Sequence, residues 1–291
     1  MFAVFQYQEL IERALQEDLG TGDLSSAIFP KSAMTRAKIY AKQKGIVCGL
    51  EVVEQVFKTL DPQMEIKRLR EDGESVKTGT IVLELFGSVR SILMAERVAL
   101  NFLQHLSGVA TKTHQAVEDV AGLPVRITDT RKTLPGMRML QKYAVRMGGG
   151  QNHRFGLYDA VLLKDNHIAA AGSLARAVEE ARRHVGQMVK IEVECESLKQ
   201  VEEALESGVD VIMLDNMDIQ AMKEAVKLID KKVSVEASGG ITKDSLRAVA
   251  ETGVNVISLG ALTHSVKALD FSLDIGDIKE ATRERWQEGE F

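Results

Sequence analysis

Cysteine is scarce in this chain: Cys48 and Cys195 are its only two in 291 residues. They lie far apart and form no CxxC or related spacing, which excludes a disulfide framework or a thiolate zinc site and leaves two free thiols expected in the core. Long hydrophobic runs are missing as well. No stretch approaches the roughly 20 apolar residues of a membrane span, and the opening MFAVFQYQELIERAL reaches an acid at Glu9 before a signal-peptide core can form. A cytoplasmic protein is the expectation. Basic charge is in deficit, with 37 Lys and Arg against 42 Asp and Glu, so the broad positive face of a nucleic-acid binder is excluded. Neither a nucleophile triad nor a redox motif is present.

The basic residues that do occur are gathered. Residues 126 to 167 hold eight Lys and Arg and three Asp and Glu, leaving 29 (37 − 8) against 39 (42 − 3) elsewhere. Within this segment Gly148, Gly149 and Gly150 form a run suited to close backbone approach to a phosphate.

From residue 125 onward one arrangement recurs: a short Val- and Ile-rich run, a polar or glycine-rich turn, then an amphipathic helical stretch. The runs are VRITD to Asp129, DAVLLK to Lys164, VKIEVE to Glu194, DVIMLD to Asp215, VSVEASGG through Glu236, and VNVISLG to Gly260. Six consecutive βα units at such intervals read as a parallel α/β barrel, with an open doubly wound sheet as the other possibility. Each run ends on a reactive or flexible residue. In a barrel those ends share one mouth, which would bring Asp129, Arg131, Lys132, Lys164, Glu194, Asp215, Ser238 and Gly260 together.

The first part of the chain differs. Residues 5 to 18 have helical periodicity, LGTGDLSS at 19 to 26 is a loop, and TRAKIYAK, GIVCGL, MEIKRLR and TIVLELFG read as antiparallel strands. Residues 91 to 120 form a long apolar helical pattern. The expected organisation is an N-terminal α+β sheet domain over 1–110, linking helix included and completed by about 266–291, and a barrel domain over 111–265. The charged end RERWQEGEF reads as solvated.

Several motifs carry chemistry. In TDTRKT, Thr130, Arg131 and Lys132 follow a strand, where Arg can grip a carboxylate through two hydrogen bonds and Lys supplies a point charge; a solvated loop is the bland alternative. GGGQNHRFGLYDAVLLKDNH places His153, Arg154 and Lys164 near each other, and a lysine closing an apolar strand suits a ligand clamp or a Schiff-base nucleophile. Glu194 and Asp215 end their strands opposite in charge to this cluster. Two carboxylates beside an anion site suit Mg²⁺ or a ribose; salt bridges to Lys132 and Lys164 are the alternative. Ser238, Gly239 and Gly240, then Leu259, Gly260 and Ala261, follow the next two strands where barrels hold phosphates. Arg138, Lys142 and Arg146 recur at helical spacing and read as a helix face or a subunit contact.

Together TDTRKTLPGMR, GGGQNHRFGLYDAVLLKDNH, IEVECESL, VIMLDN, VEASGGI and SLGALTHS, with the earlier EDLGTGDLSS and AERVALNFLQHLSGVAT, resemble the quinolinate phosphoribosyltransferase family of type II phosphoribosyltransferases over nearly the whole chain. The resemblance implies an N-terminal sheet domain, an incomplete α/β barrel and a homodimer with shared sites. It implies transfer from 5-phosphoribosyl 1-diphosphate to quinolinate with decarboxylation, giving nicotinate mononucleotide, pyrophosphate and CO₂ with Mg²⁺. It assigns Arg131, His153, Arg154 and Lys164 to the quinolinate carboxylates, joined by Arg97 of the second subunit. Lys132, Glu194 and Asp215 then face the phosphoribosyl group and its magnesium, and the loops 238–240 and 259–261 hold the 5-phosphate. Of these, Lys132, Lys164, Glu194 and Asp215 are the catalytic candidates. Rival readings are a Schiff-base lyase using Lys164, a non-catalytic or metal-transport-associated relative that binds a phosphorylated metabolite, and a nicotinate-specific phosphoribosyltransferase.

Overall fold

Strict alternation over Met34–Ala41 sends Thr35, Ala37, Ile39 and Ala41 inward and Arg36 and Lys38 outward, the two-residue period of a half-buried strand. The structure, a computed structural model, describes residues 7–276. Its chain divides into two compact units, one built from residues up to Thr111 and from Val266 onward, the other Lys112–Ser265.

In the first unit α1 (Gln8–Leu19) is followed by β1 (Met34–Ala41), β2 (Gly45–Ile46), α2 (Leu50–Leu60), β3 (Glu65–Arg68), β4 (Ser75–Val76), β5 (Ile81–Ser88) and the long α3 (Val89–Asp119). GIVCGL yields less strand than its composition suggests. β2 stops after two residues because Gly49 turns the backbone at φ 104 and the Asp72 carboxylate accepts the N–H groups of Gly49 and Leu50 at 2.9 and 3.0 Å, which opens α2 instead. α2 itself was not expected from the sequence.

The second unit alternates strand and helix: β6 (Arg126–Thr128), α4 (Arg138–Met147), β7 (Val161–Leu163), α5 (Asp165–Ala171), α6 (Leu174–His184), β8 (Ile191–Cys195), α7 (Leu198–Glu206), β9 (Val211–Asp215), α8 (Ile219–Ile229), β10 (Ser234–Ser238), α9 (Lys243–Ala250), β11 (Val256–Ser258) and α10 (Ala261–His264). All six expected strands form. They are parallel in the order β6-β11-β10-β9-β8-β7, so the first strand neighbours the last and the sheet curls into a barrel left open between β6 and β7. A lone bridge from Thr128 to Gln151 lies beside that gap. Ser173, Ser197 and Asp218 cap α6, α7 and α8 by accepting N–H groups of Arg176, Gln200 and Ala221.

β12 (Phe271–Ile275) then returns to the first unit and completes an antiparallel sheet, β12-β1-β5-β3. The expected solvated end RERWQEGEF lies outside the described residues. Cys48 and Cys195 are both buried free thiols. Among the described residues no helix is long and apolar enough to cross a membrane.

Candidate active site

Because the six strands are parallel, their carboxyl ends meet on one side, and a cavity of about 480 Å³ opens there. It is lined by eleven of the expected residues: Thr130, Arg131, Lys132, His153, Arg154 and Lys164 on the basic side, then Glu194, Asp215, Ser238, Gly239 and Gly240. Asp215 and Ser238 are register partners on adjacent strands. Leu162, Met213, Asn216, Glu236 and Ser258 line it as well and were not anticipated.

The cations differ in their partners. Arg154 donates through its guanidinium to the Ala160 carbonyl at 2.8 Å, yet among the described residues neither it nor Arg131 has a carboxylate at ion-pair distance. Burial, and after it the neighbouring Arg131, push Arg154 below the usual guanidinium range. Lys164 pairs with the Glu194 carboxylate, so the salt-bridge alternative is realised there. Asp215 instead accepts from Asn216 Nδ2 at 2.6 Å. Lys132 is set by its own turn, its N–H donating to Thr130 Oγ1 at 3.0 Å and its carbonyl accepting from Thr263 Oγ1 at 2.7 Å.

His153 lines the cavity with both ring nitrogens already close to protein groups. Nδ1 accepts the Arg154 N–H at 2.8 Å, while Nε2 lies 3.1 Å from Glu192 Oε2 and 3.4 Å from Glu236 Oε1. Burial opposes charge on this ring, and the hydrogen bonds to the two acids outweigh it and would lift its pKa to about 10. An Nδ1 that accepts a backbone N–H carries no proton, however, and that geometry decides for a neutral ring with its proton on Nε2. Burial holds Glu192 above the usual carboxylate range. His153, Glu192 and Glu236 have the mutual spacing of metal ligands, but a ring with its proton on Nε2 offers that nitrogen no lone pair. His153 and Glu236 line the floor of the cavity, and Glu192 lies behind them. His153, Arg154 and Glu236 also line a second cavity of about 260 Å³, which takes in Arg126, Val161, Val211, Ser234 and Val256 at the amino ends of five strands.

Asp129 and the cations of α4 depart from expectation. Asp129 does not reach the mouth. It is fully buried and accepts from Lys142, from Asn152 Nδ2 at 2.6 Å and from the His153 N–H at 3.0 Å. Lys142 is no surface residue; it is fully buried and also donates to the His153 carbonyl at 2.9 Å. Arg138 binds Thr133 Oγ1 and the Phe155 carbonyl, both at 3.0 Å. Only Arg146 of that trio is exposed. Leu259, Gly260 and Ala261 stay outside the cavity lining; a Cβ on Gly260 would come within 3.0 Å of Lys132 Cδ, so that turn supports the lysine from behind. Arg97, expected to act from a second copy, is an exposed residue of α3 in the first unit.

Comparison with known proteins places the chain in a family. The family described as "Quinolinate phosphoribosyl transferase, C-terminal domain" matches residues 109–274, and the corresponding N-terminal domain family matches 23–107. The chain is 47% identical to a probable nicotinate-nucleotide pyrophosphorylase [carboxylating] of Bacillus subtilis, over 96% of each chain. It is 44% identical to a protein of the same name from Methanocaldococcus jannaschii, over 92% of this chain and 96% of that one. Its fold matches the crystal structure of NadC from Streptococcus pyogenes with a TM-score of 0.91 and 43% identity, covering 95% of this chain and 99% of the other.

Proposed function

The chain belongs to the quinolinate phosphoribosyl transferase family and is a decarboxylating phosphoribosyltransferase, and from that premise we propose how its residues divide the reaction. The enzyme joins quinolinate to 5-phosphoribosyl 1-diphosphate and releases nicotinate mononucleotide, pyrophosphate and CO₂. The observation that carries the assignment of residues is the pair Arg131 and Arg154, two neighbouring guanidiniums that line the cavity without an acid partner among the described residues. A dicarboxylate supplies the two missing charges, and each charge-assisted hydrogen bond contributes about 1.5–3 kcal/mol. Lys164, steadied by Glu194, supplies a third cation. His153 closes the floor of this half.

Held there, the pyridine nitrogen is oriented toward the anomeric carbon of the ribosyl group. Nitrogen forms its bond as pyrophosphate leaves with the electron pair of the broken C–O bond. Glu194 and Asp215 stabilise the cationic ribosyl carbon in that transition state, and Lys132 meets the phosphate oxygens. Ser238, Gly239 and Gly240 receive the 5-phosphate on exposed backbone N–H groups. The alkylated nitrogen then draws electrons from the adjacent carboxylate, the C–C bond breaks to CO₂, and a solvent proton takes its place on the ring carbon.

Two carboxylates beside the leaving group are a small set of hard oxygen donors, which fits Mg²⁺ shared with substrate oxygens. Glu194 and Asp215 would hold it, and it would offset the charge that builds on pyrophosphate. We further propose a homodimer in which Arg97 of the second copy completes the quinolinate half.

Replacing Arg154 by Ala leaves one carboxylate unpaired in a shielded site, a loss of about 2–5 kcal/mol in quinolinate binding. Steady-state kinetics of Arg154→Ala against quinolinate should show this as a raised KM. Unchanged KM and turnover would reject the assignment.

A further inference from the structure

The carboxyl end of β9 carries a backbone conformation that a strand end does not require. Asn216 sits at φ 54, in the left-handed region that is costly for most L-residues and that Asn and Gly tolerate best. Its contacts run both ways. Nδ2 donates to Asp215 Oδ2 at 2.6 Å, a short bond to a carboxylate acceptor. The Asn216 N–H reaches across to the Ser238 carbonyl on β10 at 3.2 Å. Its side-chain oxygen lies over Gly239, where an added Cβ would fall 2.3 Å from Oδ1 and 2.8 Å from the backbone nitrogen of Asn216. Gly239 and Gly240 are themselves left-handed, at φ 86 and 58.

One side chain therefore joins the carboxylate of one strand to the glycine turn of the next, and Asp215, Asn216, Ser238, Gly239 and Gly240 all line the cavity. Its chemistry is constrained. Aspartate here would set a second negative charge against Asp215, and glycine would keep the backbone and lose the donor. Among the described residues no other side chain donates to Asp215.

We propose that Asn216 is a positioning residue for the phosphoribosyl half of the site. Its amide holds Asp215 by one oxygen, leaving the other for the ligand, and its seat over Gly239 sets the phosphate turn. This rests on the division of the cavity given above.

Two variants separate positioning from backbone support. Asn216→Gly adopts φ 54 without strain and lacks the amide; Asn216→Ala lacks the amide and is strained. The readouts are the dissociation constant of 5-phosphoribosyl 1-diphosphate with Mg²⁺ by calorimetry, KM for each substrate, and the melting temperature. Both variants should bind phosphoribosyl diphosphate about tenfold or more weakly, the worth of a hydrogen bond to a charged group. KM for quinolinate should stay within about twofold, and Asn216→Gly should melt close to the parent protein. Wild-type binding by Asn216→Gly, with only Asn216→Ala impaired, would reduce Asn216 to a backbone role and overturn the proposal. Equal weakening toward both substrates would overturn it too. Failure of the parent protein to convert quinolinate would count against the assignment of the cavity instead, while the calorimetry would still read the role of Asn216.

Discussion

The cavity is built from single residues whose meaning depends on their neighbours, and His153 shows this best. Its position in GGGQNHR marks it as a donor to substrate. Glu192 and Glu236, from two other strands, crowd its Nε2, and the Arg154 amide donates to its Nδ1. A sign of these acids was present in the sequence: Glu192 lies two residues before Glu194 and Glu236 two before Ser238, hence on the same inward face of their strands. The strand-end cations were legible because a charge that closes an apolar run is conspicuous. The direction of a ring is not, since it is set by contacts from β8 and β10 that no local pattern encodes. Nitrogen NMR of the His153 imidazole at neutral pH should find a neutral ring protonated at Nε2. An imidazolium signal would contradict that geometry.

Among the elements, α4 was read only in part. Arg138 and Lys142 recur at helical spacing, and spacing identifies a face without telling what packs against it. The structure sets this face against the two loops that carry Arg131 and Arg154. Arg138 reaches Thr133 and the Phe155 carbonyl, while Lys142 meets Asp129 and the His153 carbonyl. The basic segment thus includes buried scaffold as well as site. Burial pushes Asp129 up and Lys142 down, against their mutual attraction, so the pair is a costly one to leave half made. Lys142→Met would strand Asp129 as an unpaired buried charge and lower unfolding stability by about 3–5 kcal/mol, read from denaturant melts. A midpoint equal to the parent protein would show that the pair does not hold these loops. The short β2 teaches the same lesson: GIVCGL has strand composition, and a distant carboxylate, Asp72, turns its last residues into a helix start.

For the whole molecule, the βα repeat made the barrel readable, because six apolar runs at regular intervals leave few other solutions. The opening between β6 and β7 was not readable from spacing, since closure depends on which edge strands pair. Subunit sharing is tested by complementation. If Arg97 acts across the dimer, Arg97→Ala and Arg154→Ala chains are each strongly impaired alone at quinolinate near the wild-type KM, and their random mixture regains about one quarter of wild-type activity through one intact site per mixed dimer. No recovery after confirmed subunit exchange would place Arg97 outside the site. The central claim is tested most directly by incubating the protein with Mg²⁺, 5-phosphoribosyl 1-diphosphate and quinolinate labelled in the carboxylate beside the ring nitrogen, with nicotinate as the control substrate. Labelled CO₂ and nicotinate mononucleotide in equal amounts from quinolinate, with little product from nicotinate, is the predicted result. Conversion of nicotinate with quinolinate left intact would contradict it.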